Sequence, residues 1–400
     1  MNLKVISLSS FNLLGKLFLK SVKGLALLLQ LMRIAVNIQG LVKNDSKSFE
    51  HFTNELMQHI VKAYPQHEFL FLSDKPLKHF SIDAGITILT PMVKGNASLK
   101  YWYDVKLVGA VKKLNADILV HFGETCSLTT KIPQVLVIKD LAFIHHPKWF
   151  SKPALLFNKI FQKKFIGKAK YIVALSEFVK QDINAQYKIS AEKATAVLPA
   201  AGNSFKPISF EEREAIKDGY ADGREFFLFI GSTDEHSNLM NVLKAFSIFK
   251  KWQQSSMKLL VTGKADDGFM EKLKTYKYRD DVTVLDTLNN EQYAKLVTAA
   301  YALICVPVYD GIGLPIVEAM QAGVPTIASE KTALSEMAAD AALYVNPIEV
   351  DELANQMKIL YRDEALRSQL IQKGLVQAAK FTWHESAERF MKIIESAAST

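Results

Sequence analysis

From Met32 onward, short runs dense in Val, Ile, Leu and Phe alternate with longer stretches whose apolar residues recur at helical spacing. MRIAVNI, HEFLFLS, ADILVHFG, PQVLVIKD, YIVALS and ATAVLPA form a first group of such runs. EFFLFIGS, MKLLVTG, VTVLDT, YALICVPV, VPTIAS and ALYVN form a second. A run that is apolar throughout, without polar alternation, suits a strand covered on both faces, and strands alternating with helices make parallel sheets. The pattern predicts an α/β protein with two doubly wound, Rossmann-like parallel-sheet domains in tandem. A ligand would sit in the cleft at the carboxyl ends of the strands. The polar, turn-rich stretch GNSFKPISFEEREAIKDGYADGRE reads as the connection. The domains expected are 32–207 and 208–380, with a closing helix over 381–400.

Residues 1–31 differ. Phe11, Leu14, Phe18, Val22, Leu25 and Leu29 fall on one helical stripe, with Lys16, Lys20 and Lys23 opposite. One reading is an interfacial membrane helix; the other is an upstream extension before a natural opening strand at Met32. The lysines interrupt the apolar run, which disfavours a secretory signal, and the stretch is too charged to span a bilayer.

Composition narrows the class. With 400 residues, 49% apolar and 22% charged, the chain has enough material for two cores, which excludes whole-chain disorder. Cys126 and Cys305 match no metal or disulfide spacing, which suits a reducing cytoplasm and small core residues. A net charge of +8 suits anionic partners such as nucleotides or an acidic membrane face.

The stretch VYDGIGLPIVEAMQAGVP, residues 308–325, joins a strand end to a glycine turn and a helix. Gly311 and Gly313 permit a tight turn after Asp310, Pro315 suits the first helical turn, and Gly323 with Pro325 stops the helix. Free amides at a helix start, backed by the positive dipole end, form an anion site. Asp310 and Glu318 beside it would grip hydroxyl groups. Phosphate and hydroxyls together point to a nucleotide sugar; the plainer alternative is a glycine turn common to many α/β proteins with Glu318 on the surface.

DGIGLPIVEAMQAGVPTIAS resembles the donor-site signature of the retaining glycosyltransferases of family 4, the glycosyl transferases group 1, in which one Glu precedes a second by a spacing that Asp310 and Glu318 keep. IKDLAFIHHPKWF, YIVALSEFVKQDI, FLFIGSTDEHSNLMNVLKAF and FTWHESAERFMKIIES resemble further family segments, so the likeness runs over nearly all of the chain from Met32. The resemblance implies the GT-B architecture, with a nucleoside-diphosphate sugar bound mostly by the second domain, a saccharide or lipid-linked acceptor bound by the first, and the closing helix crossing back. It implies retention of configuration with no obligatory metal and no cofactor beyond the donor. By resemblance the amides around Gly311, Ile312, Gly313 and Leu314 hold the diphosphate, Glu318 the ribose, and Asp310 the sugar.

Six positions, in five places along the chain, depart from the family pattern. The strand end Gly231–Ser232 has Ser232 where Arg is usual, and Ser237 stands where Lys is usual. Lys139 replaces a His, Ser48 and Glu50 stand in a first-domain loop normally rich in glycine, and Asp310 is one methylene shorter than Glu. Cations against the leaving diphosphate stabilise the transition state, and losing one lowers rate by about a hundred to a thousandfold. Lys139, Lys264 and Lys331, all at strand ends, are candidates to replace them as point charges, against the plainer reading of solvated lysines. Ser176 is expected to cap a helix or to approach the acceptor. Asp286 lies where a base would be read, and His236 is a weaker candidate cation than the lysines; the pair His145–His146, tempting as a metal or acid/base site, reads as local packing with Pro147, Trp149 and Phe150.

The functional expectation is a cytoplasmic glycosyltransferase of envelope or exopolysaccharide assembly, peripheral to a membrane in one reading, with no nucleic-acid partner. The rival is a catalytically degenerate member that binds a sugar, a nucleotide or a partner. An epimerase on the same fold has no specific residue in its favour.

Overall fold

The computed structural model describes residues 31–399 apart from 44–46, 77–79, 81, 83–85, 90–92, 232–235, 264, 266 and 286–287. The amphipathic stripe from Phe11 to Leu29 therefore lies outside the described residues. Seven strands make the first sheet: β1 (Arg33–Asn37), β2 (Glu68–Ser73), β3 (Ile86–Ile88), β4 (Ile118–Phe122), β5 (Gln134–Ile138), β6 (Tyr171–Ala174) and β7 (Ala194–Ala196). Six make the second: β8 (Phe226–Ile230), β9 (Lys258–Thr262), β10 (Val282–Leu285), β11 (Ala302–Cys305), β12 (Thr326–Ser329) and β13 (Ala342–Val345). All pairs are parallel, in the orders β3-β2-β1-β4-β5-β6-β7 and β10-β9-β8-β11-β12-β13.

The expected α/β class with two doubly wound sheets is what forms. Its cause is visible in β4 (ILVHF) and β5 (QVLVI), which are buried at every position because helices cover both faces. The three-residue edge strand β3 was not anticipated: it pairs on one side only, and Ile88 stays exposed. Cys126 and Cys305 are buried free thiols, as small core residues should be.

Strand order reverses between β1 and β4 in the first sheet and between β8 and β11 in the second, the positions where doubly wound sheets open a crevice. In the first domain that crevice is tight. A Cβ on Gly40 would lie 2.1 Å from the Phe122 carbonyl oxygen and 3.0 Å from the Gly123 Cα, so only glycine lets the short helix Gln39–Lys43 after β1 rest on the end of β4.

The closing helix Trp383–Ala398 lies on the first domain. Trp383, Ala387, Phe390, Met391 and Ile394 join the apolar cluster of β1, β4 and β5, and Arg389 Nη1 donates to the Ala196 carbonyl at 3.1 Å. Two residues of the second domain, Ile312 and Leu314, enter the same cluster. No described helix is long and apolar enough to cross a membrane.

Candidate functional site

The chain leaves β11 at Cys305, turns through Asp310–Gly313, and enters the helix Leu314–Gln321. Gly313 has φ 74°, a left-handed conformation that favours glycine, and Pro315 occupies the first turn. The amides expected to receive a diphosphate are partly taken. Asp310 Oδ1 accepts from the Ile312 amide at 2.7 Å and the Gly313 amide at 2.8 Å. The physical reason is side-chain length: an aspartate bonds its own backbone two and three residues on. Burial raises the Asp310 pKa, against those two amide bonds, with the Asp140 charge adding to burial and Lys139 opposing it.

This loop is also the contact between the domains. A Cβ on Gly311 would lie 2.4 Å from the Lys139 carbonyl oxygen and 2.9 Å from the Asp140 Cβ. Ser176 Oγ donates to the Gly311 carbonyl at 2.9 Å while accepting from the Val179 amide at 3.2 Å. Ser176 thus caps its helix and clasps the other domain at once; its hydroxyl is fully buried rather than open to an acceptor.

Glu318 sits one turn into the helix and is only 1% exposed, so the alternative of a surface residue fails. Its Oε2 accepts from the Tyr293 hydroxyl at 2.7 Å, and its Oε1, buried, has no hydrogen-bond partner. The nearest cationic candidate is His51 Nε2 of the first domain, 3.5 Å from Oε1. Burial pushes the Glu318 carboxyl up to about 8 and holds His51 below its ordinary value. At neutral pH this is therefore an approach of two mostly neutral groups rather than an ion pair. What remains is a buried carboxyl oxygen at the domain junction, able to donate when protonated and to accept when not, with no hydrogen-bond partner, a costly arrangement in a folded chain.

Of the cations expected at the site, Lys139 is brought to it. Its Nζ lies 3.3 Å from Asp140 Oδ2, with a fifth of the side chain exposed. Burial disfavours the ammonium, but Asp140, Glu124 and Asp310 outweigh it and hold the pKa above its ordinary value. In return, burial and Asp140 push Glu124 up to about 7 despite Lys139. Lys331 is 84% exposed, at a left-handed backbone position, and its Nζ pairs with Glu330 Oε1 at 3.0 Å. Lys264, Ser232 and Asp286 lie outside the described residues. Gly231 abuts Ser237, whose Cβ would be 2.8 Å from a Cβ on the glycine, so any larger residue at 231 would need this loop to move. Ser48 and Glu50 occupy the first turn of the helix Lys47–Ala63, where an acidic residue suits the dipole, and both are partly buried.

Several residues at the junction were not singled out by the sequence reading. Glu336 accepts from the Glu177 and Phe178 amides with its two carboxylate oxygens, both at 2.9 Å, so an acid of the second domain caps a helix of the first. Tyr309 donates to Asp182 Oδ2 at 3.2 Å, the oxygen that also meets His145 Nε2 at 2.7 Å. His146, Trp149 and His236 stack in sequence, with centroids 4.1 and 4.0 Å apart. The pair His145–His146, read as local packing, thus packs across the domains against Tyr309. Tyr293 and His51 had no local signal, since each matters only through a contact distant in sequence.

Residues 211–376 match the family described as Glycosyl transferases group 1. The chain is similar to the O-antigen chain mannosyltransferase B of Escherichia coli, 24% identical over 253 residues. That alignment covers 62% of this chain and 66% of the relative, so the chain spans just under two thirds of that relative's length. Among solved structures it is similar in fold to WaaG, a glycosyltransferase involved in lipopolysaccharide biosynthesis, with TM-score 0.72, 15% identity and coverage of 90% of this chain and 99% of that one. It is also similar in fold to Anabaena Alr3699/HepE in complex with UDP and glucose, with TM-score 0.71, 16% identity and coverage of 91% and 100%. The two-sheet architecture is therefore GT-B.

Proposed function

We propose that the chain, whose residues 211–376 match the glycosyl transferases group 1, transfers a hexose from a nucleoside-diphosphate donor to a saccharide or lipid-linked saccharide in envelope polysaccharide assembly, with retention of configuration. The observation that carries this reading is the buried, unpartnered Oε1 of Glu318 at the mouth of the junction. A ribose hydroxyl, which can donate or accept, would give this atom the hydrogen bond that the chain leaves unmade. The relatives add direction: one curated relative is an O-antigen chain mannosyltransferase, and one structural neighbour was solved with UDP and glucose.

In this reading the acceptor hydroxyl attacks the anomeric carbon as its bond to the diphosphate oxygen breaks, and the departing diphosphate takes the proton on the same face. The protein's part is alignment and charge. Lys139, charged and held among carboxylates at the junction, is the described cation placed to meet the leaving group. The Leu314 and Ile316 amides are further donors at the helix start. The junction must open for a donor to enter, because Ser176, Gly311 and Glu336 now hold it shut.

One observation favours the second reading, a binding protein without turnover. Asp310 already fills two of the amides that a diphosphate would use. Calorimetric titration with UDP, GDP and their sugars separates the readings from a third outcome. Binding together with release of nucleoside diphosphate from a sugar donor supports transfer; binding without release supports the second reading. No binding to any nucleotide rejects both.

A further inference from the structure

Four of the twelve large apolar side chains that stand exposed among the described residues lie on two adjoining segments of the first domain. Leu156 (59% exposed) and Ile160 (45%) belong to the helix Lys152–Lys168, and Tyr101 (47%) and Val105 (51%) to the helical stretch 96–113. The segments form one face: Asn96 Nδ2 donates to the Pro153 carbonyl at 2.9 Å, and the Phe161 ring lies between Lys100 Nζ at 5.2 Å and Lys164 Nζ at 5.3 Å. The Lys152–Lys168 helix contains five lysines and no acidic residue. Its outward side alternates Leu156 and Ile160 with lysines such as Lys159 and Lys163. Beside it opens a groove of ≈ 410 Å³ to which Lys159 and Lys163 also belong.

We infer that this face docks on an anionic lipid bilayer. Exposed apolar groups invite a partner, and the charge selects its kind. Protein interfaces are depleted in lysine, whereas lysines lay their stems along apolar surface and carry their charge to anionic headgroups. A face of aliphatic side chains ringed by the lysines of an acid-free helix, with Lys100 alone paired to Asp104, fits the interfacial zone of a membrane, with the apolar tips entering the acyl boundary. The same helix follows the Pro147–Trp149 turn that stacks on His236, so docking would bring the domain junction close to the bilayer. This inference does not depend on turnover.

The test is sedimentation of the full chain with vesicles of phosphatidylcholine alone or with about 30% phosphatidylglycerol. The expected result is binding that needs the anionic lipid. It should fall at least about fivefold in L156S/I160S and in K159Q/K163Q, each removing one of the two contributions, and should be unchanged in the remote V376S. A second readout uses a polarity-sensitive dye on L156C, since both native thiols are buried: its emission should shift to the blue on anionic vesicles, while dye on V376C should not. Binding that ignores the anionic lipid, that survives both double substitutions, or that leaves the dye at position 156 in water overturns the inference.

Discussion

The Tyr293 hydroxyl lies 2.7 Å from Glu318 Oε2, joining the helix Asn290–Ala299 to the helix Leu314–Gln321. This bond fixes one carboxyl oxygen and leaves the other facing His51 across the domain boundary. The arrangement makes Glu318 the centre of several expectations.

The first concerns pH and stability. The folded-state pKa of Glu318, about 8, stands above the ordinary 4.5. Its contribution is therefore fully present below pH 4.5 and is lost as pH rises toward 8. E318Q removes that loss while keeping an acceptor for Tyr293. The melting temperature of E318Q relative to the parent chain should rise steadily between pH 5 and pH 8. A difference that stays flat with pH would contradict the buried, protonated carboxyl.

His121 acts from the other side. It is buried with Asn37 at 3.1 Å and Gln134 at 2.9 Å, and burial holds its pKa down at about 4 against an ordinary 6.5. Stability should thus fall as pH drops from 6.5 toward 4, by about 3 kcal/mol if the whole depression is expressed. Denaturant midpoints measured across this range should show the fall in the parent chain and a shallower one in H121Q.

A third expectation follows from Asp310. Its carboxyl binds the Ile312 and Gly313 amides because it is too short to reach past them. In D310E the longer side chain can extend away and release the amides to a phosphate. Titration with UDP or GDP should show D310E binding about tenfold more tightly, the size of one charge-assisted hydrogen bond near 1.5 kcal/mol. Equal or weaker binding would mean that these amides take no part.

How much of this was legible in the sequence depends on whether a feature is local. The strands of both sheets could be read because their burial on both faces writes continuous apolar runs into the chain, and β3 could not because three edge residues write almost nothing. Gly313 and Pro315 declared the helix start by backbone chemistry alone. The capture of the amides by Asp310 is also local, and the shortened side chain was the signal for it. Glu336 and His51 were invisible for a simpler reason, since each finds its partner only when two separately folded sheets face one another; Tyr293 was invisible because it meets Glu318 only once two helices of the second domain pack side by side.

The junction itself offers a fourth expectation. Glu336 caps the helix Glu177–Tyr187 across the boundary, and a Cβ on Gly311 would strike Lys139 and Asp140. E336A should cost about 2 kcal/mol of stability at the junction, and G311A should push the domains apart. Small-angle scattering should show a larger radius of gyration for both than for the parent chain. An unchanged radius in G311A would mean that the contact yields locally instead of holding the domains.

The most direct test of the central claim is release of nucleoside diphosphate from a panel of UDP- and GDP-sugars by the full chain, beside K139A and E318A. The account predicts measurable release with one donor base preferred, reduced about a hundredfold or more in K139A and accompanied by weaker donor binding in E318A. Release that neither substitution alters, or no release from any donor in the panel, would contradict it.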